Sequence, residues 1–438
     1  MCDCMGDGIF GLFGWSFVYL ERVMAKRLIF HVDVNSAFLS WEATRRVKEG
    51  GEDIRLIPSV IGGDPSKRTS IVTAKSIPAK KYGIQTGEPV ALAMRKCPGL
   101  YVAQGDFATY RKYSKLFKDI CRSYAPEVEE FSIDECFMDL TGTSLVYPDP
   151  IALAYEIKDK IKNELGFTVN IGIGNNKLLA KMASDFTKPD RVHTLFVEEI
   201  PTKMWPLPVG DLLFVGKKSV EVLERHQIKT IGDLAKCDMT LLKSLVGEKA
   251  AMQMHDYANG IDMSPVSSKV EEAKGFSVST TLEENVVTYE QAHIILMELA
   301  DSVAMRIRKA NVKAYCVAVT IRDNNFRNQS HQKNLFEPTD ITDEIYEVSK
   351  ELFQTLWDGH TPIRLLKIAL SNIDQGENVQ FSLFEDENKE KSRKMDQAVD
   401  AIREKFGNGM IQRGVTLNTN SRVGKRYLGD SDDKSSDI

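Results

Sequence analysis

Cysteine is scarce and unpatterned: the seven present (Cys2, Cys4, Cys97, Cys121, Cys136, Cys237, Cys316) are odd in number and scattered along 438 residues. With no C-x-x-C pair and no paired histidine spacing, a zinc site does not fit and a reduced compartment does. Long apolar runs are missing too. The stretch Ile9 to Leu20 is too short to cross a bilayer, and Asp3 and Asp7 precede it where a secretory signal would carry positive charge. Neither membrane insertion nor secretion is expected, and a cytoplasmic location is. An excess of one charge is also absent: the net charge of -5 argues mildly against nucleic acid as an average, and moves the question to where the charges sit.

Enough is present to build several cores. At roughly 150 residues per domain the length implies about three domains or more, and 42% hydrophobic with 27% charged residues suits a soluble globular chain. A pattern suited to a fold begins at Met24-Ala25-Lys26-Arg27, so residues 1–23 are expected to be a disordered extension or an upstream start. Leu28 to Val34 is an apolar, β-prone run carrying Asp33 at its end, and Ser36 to Val47 follows as a helix. Residues 50–98, rich in Gly, Pro and Lys, read as a small insertion. Phe107, Tyr110, Ser114, Phe117, Cys121 and Tyr124 share one helical face. Two short strands then meet near Asp134, followed by a helix from Ile151, a strand from Phe167 and a helix from Lys177. This order predicts an α+β sheet with helices on one face. Pro201 to Asp262 is mostly helical, residues 263–268 form a polar linker, and from Lys269 to Asp374 the order β, α, β, β, α, β is legible again. The chain turns polar after Gln375, and its last nine residues carry four acids, which suggests a mobile tail.

Asp33 at a strand end and the Asp134-Glu135 pair on a neighbouring hairpin are suitable ligands for magnesium, a hard ion that takes carboxylates, waters and phosphates in octahedral geometry. Two such ions about 4 Å apart serve phosphoryl transfer. On spacing alone, however, the same acids fit solvated strand ends or helix caps.

The surrounding residues are specific. Asp33-Val34-Asn35-Ser36-Ala37-Phe38 and Phe131-Ser132-Ile133-Asp134-Glu135-Cys136-Phe137-Met138-Asp139 resemble the two metal-binding motifs of Y-family translesion DNA polymerases of the bacterial DNA polymerase IV type. The resemblance runs from about Lys26 to Phe384. It implies that Asp33, Asp134 and Glu135 bind two Mg2+ ions, with Mn2+ able to substitute and the Val34 carbonyl assisting. It implies that Phe38 is an aromatic gate against a 2′-hydroxyl, and that Lys80 and Lys188 contact the triphosphate. The chain departs from the family pattern in the first of these phosphate segments: Ala74, Ile77 and Lys80 stand where Thr, Tyr and Arg are usual. Two hydroxyls are lost and a guanidinium fork becomes a point charge. Gly172-Ile173-Gly174 lacks the third glycine of a dinucleotide fingerprint and reads as a tight turn.

The resemblance further implies a right-hand polymerase: a ferredoxin-like palm (24–40 and 100–195), small fingers (41–99), a helical thumb (196–262), a linker (263–273), a βαββαβ little finger (274–374) and a flexible tail (375–438). Val215-Gly216-Lys217 resembles a helix-hairpin-helix turn, in which backbone amides receive a DNA phosphate. Seven Lys or Arg against two acids between Asp301 and Leu335, among them Arg306, Arg322, Arg327 and Lys333, suit a duplex backbone. Gln380-Phe381-Ser382-Leu383-Phe384 resembles a sliding-clamp-binding peptide, with Gln380, Leu383 and Phe384 as anchors. The expected partners are primer-template DNA, deoxynucleoside triphosphates and the clamp, with the protein itself a monomer. No second acidic cluster suggests a proofreading exonuclease. A nucleotide cyclase, faintly suggested by Gly62-Gly63-Asp64, has no need of the thumb, basic domain and clamp peptide. A non-catalytic clamp partner would be expected to have lost some of the three acids.

Overall fold

The computed structural model describes residues 27–269, 272–374, 387–407 and 410–416. The extension 1–23 and the clamp peptide 380–384 lie outside the described residues. The described chain falls into two compact units, one containing residues 27–62 and 72–269, the other 63–71 and 272–416. No helix among the described residues is long and apolar enough to cross a membrane.

In the first unit, strand β1 (Ile29–Val34) leads into helix α1 (Ala37–Lys48). A small sheet of β2 (Ser59–Ile61), β3 (Ala74–Lys75) and β4 (Tyr101–Ala103) carries helices α2 (Ile77–Lys80) and α3 (Val90–Lys96). Then come α4 (Phe107–Arg122), the hairpin β5 (Glu127–Glu130) and β6 (Glu135–Asp139), α5 (Pro150–Leu165), β7 (Val169–Gly174), α6 (Lys177–Asp185) and β8 (Val192–Leu195). The main sheet has the order β5-β6-β1-β7-β8, with β1 central, antiparallel to both neighbours and buried along its length. Side chains of a central strand alternate between faces. Phe30, Val32 and Val34 enter a core with Trp41 of α1, Tyr110 and Phe117 of α4, and Leu153, Ile157 and Ile161 of α5. Each such fully buried large side chain contributes roughly 1.5–3 kcal/mol.

The other face corrects the expectation of helices on one side only. Ile29, His31 and Asp33 point the opposite way, and α6 covers them: Ala180 clusters with Ile29 and Phe137, and Ser184 bonds to His31. Gly172 and Gly174 explain how a helix can lie so close. A Cβ on Gly174 would sit 2.7 Å from the Ala180 nitrogen and 2.8 Å from Leu179 Cβ, and one on Gly172 would collide with the Ala180 carbonyl oxygen. The pair expected to form a tight turn is therefore a helix seat. Asn176 caps α6 by accepting from Leu179 N, worth about 1 kcal/mol.

Helices α7 (Lys217–Arg225), α8 (Ile231–Ala235), α9 (Met239–Val246) and α10 (Glu248–Ala258) share a core with Leu178, Leu179 and Met182 of α6. The linker that follows is docked as far as it is described. Arg27 donates to Ser264 O at 3.1 Å, Ser267 N donates to Glu129 at 3.1 Å, and Val266 is buried beside Phe137.

In the second unit, β9 (Gly275–Val286), α11 (Tyr289–Lys309), β10 (Lys313–Asp323), β11 (Asn328–Thr339), α12 (Thr342–Leu356) and β12 (Ile363–Asp374) form an antiparallel sheet in the order β11-β10-β12-β9. Both helices pack on one face, over Val317, Val319, Leu366 and Ile368. Residues 63–71 belong here: Lys67 pairs with Glu283 at 2.8 Å, and Arg68 donates to Leu282 O and to Asn285. Where a mobile tail is expected from the sequence, residues Glu387–Phe406 form helix α13. Ion pairs hold it to the helix layer: Arg308 to Asp396 and Asp400, Arg403 to Asp301, and Arg393 to Asp340.

Candidate active site

Strand register brings the three acids to one sheet end. Asp33 stands directly opposite Glu135 on β6 and opposite Asn170 on β7, and the Val34 amide donates to the Asp134 carbonyl at 3.0 Å. Cross-strand partners share a face, so the turn between β5 and β6 delivers Asp134 and Glu135 to the end of β1. Ser132 Oγ donates to Asp134 Oδ1 at 2.7 Å. Asp33 is buried, while Asp134 and Glu135 are half-buried.

Two lysines meet these carboxylates, Lys181 on α6 and Lys188 three residues past its end. Lys188 Nζ lies 2.6 Å from Asp33 and 2.8 Å from Asp185. Lys181 Nζ lies 2.9 Å from Glu135, whose Oε2 is also 3.5 Å from His31 Nε2. The consequences are opposite. Burial pushes the Asp33 carboxyl up to about 6, with Lys188, shared with Asp185, opposing only in part. Burial also pushes Glu135 upward, but hydrogen bonds and charge from His31 and Lys181 outweigh it and hold Glu135 at about 2. His31 itself, fully buried, is pushed down by desolvation.

Among the described residues, no three His, Cys, Asp or Glu side chains converge closely enough to hold a metal ion. The reason is in the pairing: Asp33 and Glu135 are each turned to a lysine. The donor chemistry still fits a hard divalent cation, since three carboxylates and the Val34 carbonyl share this sheet end. Burial is the main reason the Asp33 carboxyl is raised, and the nearby Glu135 and Asp185 add to it.

Phe38, the second residue of α1, stacks on Tyr110 (centroids 4.7 Å apart, 16° between planes) and meets Phe107 edge-on at 5.8 Å. Its ring is half-buried and held by aromatic neighbours. Lys188 is at the acidic end, as described. Lys80 is exposed at the end of α2, which Ser76 caps, and is not brought to the acids by any bond in the structure. Ala74 is buried on β3 and Ile77 is exposed. Gly216 is the N-cap of α7 with no side-chain cap, and Gly216 and Lys217 are exposed, so the first-turn amides face outward uncapped.

The basic residues of the second unit divide between two sides. Lys333 pairs with Glu351 of α12 at 2.6 Å, and Arg306 of α11 donates to Ser277 O. Arg308, part of the expected basic stretch, is neutralised by Asp396 and Asp400. Arg322 lies on the open face, bonded to Asn328, and Arg327 sits in the β10–β11 turn. Lys367, one position past core residue Leu366, shares the open face, across from Thr320. The sequence reading missed Lys367, although the alternation Leu366, Lys367, Ile368 marks it. It also missed His31 and Lys181, whose partner in the site lies 46 or more residues away and leaves no local signal.

The family model described as "impB/mucB/samB family" matches residues 32–185, its C-terminal domain matches 273–383, and "DNA polymerase-iota, thumb domain" matches 210–262. Among curated relatives, DNA polymerase IV of Clostridium acetobutylicum is 46% identical over 392 residues, covering 89% of this chain and 98% of that protein. DNA polymerase IV of Clostridium kluyveri is 36% identical over 400 residues, covering 89% and 98%. DNA polymerase IV 2 of Bacillus subtilis is 35% identical over 403 residues, covering 90% and 96%. A solved Y-family DNA polymerase chimera shares the fold with a TM-score of 0.69 at 22% identity, covering 79% of this chain and 99% of that one.

Proposed function

The chain belongs to the Y-family DNA polymerases of the DNA polymerase IV type, DNA-directed enzymes that act on DNA and nucleotides, and from that premise we propose that it extends a primer 3′ end by a two-metal mechanism at the Asp33–Glu135 sheet end. The observation that carries this reading is the register that sets Asp33 opposite Glu135, with Asp134 bonded to the next amide. In this reading Asp33, Asp134, Glu135 and the Val34 carbonyl hold two divalent ions, Mg2+ in the first place. When bound, the ions activate the attacking hydroxyl and neutralise the charge that leaves with pyrophosphate.

The remaining roles fall to the chain's own residues. Lys188 supplies a fixed positive charge beside Asp33 for the triphosphate, and Lys80 adds a second, mobile one. Phe38 presents a ring braced by Tyr110 and Phe107, and leaves no room for a 2′-hydroxyl. The exposed amides at Gly216 and Lys217 receive a DNA phosphate, and Arg322, Arg327 and Lys367 follow the duplex backbone. Arg306 and Lys333 lie on the helix side and contribute less. Synthesis across damaged template and docking of Gln380, Leu383 and Phe384 on a sliding clamp by a monomeric enzyme complete the reading; both rest on sequence resemblance.

Primer extension with magnesium, comparing wild type with Asp134→Ala, is the direct test. A loss of at least about a hundredfold is expected; undiminished extension would sink the metal assignment. Extension past an abasic site tests lesion bypass, and a full stop opposite it rejects that part. Deleting residues 380–384 should remove stimulation by a bacterial clamp and spare basal synthesis; equal stimulation rejects the docking.

A further inference from the structure

Asn170 occupies the β7 position directly across from Asp33 and is fully buried. Its side-chain amide is used on both ends. Oδ1 accepts from Asn35 Nδ2 at 3.1 Å and from the Arg191 amide at 3.3 Å, while Nδ2 donates to the Ser184 carbonyl at 3.0 Å and the Thr187 carbonyl at 2.8 Å. Asn35 extends the network: its Oδ1 accepts from Thr168 Oγ1 and from the Asp190 amide, each at 2.9 Å. Two buried amides thus hold residues 184–191 at four backbone points. Asp190 adds a fifth tie, pairing with Lys158 and Lys162 at 2.8 Å each.

Within this clamped segment, Lys188 reaches Asp33 at 2.6 Å. A lysine has a long stem and much rotamer freedom. Fixing its backbone removes one source of freedom before any ligand arrives, which lowers the ordering cost of a contact. We propose that Asn170, assisted by Asn35, is a positioning residue that sets the backbone of the Lys188 segment and so tunes nucleotide binding without touching nucleotide. The proposal rests on the triphosphate role of Lys188 stated above.

Only an amide suits this position. An aspartate of nearly the same size would turn an oxygen toward the Ser184 and Thr187 carbonyls, where the amide now donates. An aliphatic residue would remove all four hydrogen bonds, two of them buried.

The test is steady-state incorporation of a correct deoxynucleotide by wild type, Asn170→Asp, Lys188→Ala and the double variant. Asn170→Asp should raise KM for nucleotide about tenfold with kcat changed by less than about twofold, and the double variant should be no worse than Lys188→Ala. A residue that merely held the fold would not produce that split or that non-additivity. Full additivity, or a fall in kcat at constant KM, overturns the proposal. If Lys188→Ala leaves KM unchanged, the triphosphate role fails and takes the proposal with it. If Lys188→Ala raises KM while Asn170→Asp does not, the positioning role alone fails. Should Asn170→Asp not fold by thermal melting, Asn35→Ala, which releases only part of the network, should give a smaller KM shift of the same kind; an unchanged KM there overturns the proposal.

Discussion

The two large sheets share a layer of helices over one apolar face and differ in what lies on the other. In the first unit α6 presses onto that face, so His31, Asp33 and Lys181 are buried with the half-buried Glu135, and the two carboxylates are paired with Lys188 and Lys181. In the second unit the corresponding face carries Arg322, Lys367 and Thr320, with no helix of the described residues packed on it. Enclosure makes charge interactions strong and geometry exact to a fraction of an ångström, as chemistry requires. Exposure makes them weak, additive and salt-dependent, as backbone tracking requires.

Three experiments would break or sharpen that contrast. The two larger effects belong to the first unit. Phe38→Ala should reduce discrimination against ribonucleotides by about a hundredfold while Tyr110 keeps the helix face filled; competition between dCTP and CTP measures it, and unchanged sugar selection refutes the gate. Next comes Asp33 in metal-free protein. Its folded-state carboxyl is raised from 3.8 to about 6, so the folded protein holds that proton more tightly than the unfolded chain. The stability it contributes is full below about pH 4 and lost as pH rises through about 6, a change of roughly 3 kcal/mol. Glu135 runs the other way: held at about 2, it stabilises above its ordinary 4.5 and that stability is lost as pH falls through about 2. Urea unfolding of wild type and Asp33→Asn between pH 4 and 7 should show the fall flattened in the variant; parallel curves would disprove the burial argument. The smallest effect is on the open face. Arg322→Ala and Lys367→Ala should each lower the log–log salt slope of DNA binding by about 1, and Lys333→Ala, paired with Glu351, by less. Equal effects from all three would erase the distinction between faces.

Much of the fold was legible because its elements obey simple periods. The second unit's six elements follow from alternation and helical spacing, and the helix from Tyr289 begins and ends where the pattern does. Strand β8 was not legible: Val192–Leu195 is four residues long and mostly half-buried, so it lacks a clear alternation. Helix α13 escaped for a different reason. It is held by Asp396, Asp400, Arg403 and Arg393 to residues far along the chain, and a charged helix fixed by ion pairs looks like a solvated tail. At the site, Asp33, Asp134 and Glu135 could be named from their motifs. Lys188 could be named as a phosphate contact, but its pairing with Asp33 could not, because the two lie 155 positions apart and no periodicity encodes that distance.

The seat at Gly172 and Gly174 has one more implication. The helix resting on it carries Lys181, Ser184 and Asp185, and leads straight to Lys188. These groups ride on one rigid part, so the environments of Asp33 and Glu135 cannot drift independently. A side chain as small as alanine at position 174, which touches neither acid, would lift the helix and detune both at once. Variation there should therefore show itself as a correlated change in two titrations, a signature of shared mechanics that no substitution of either acid could imitate.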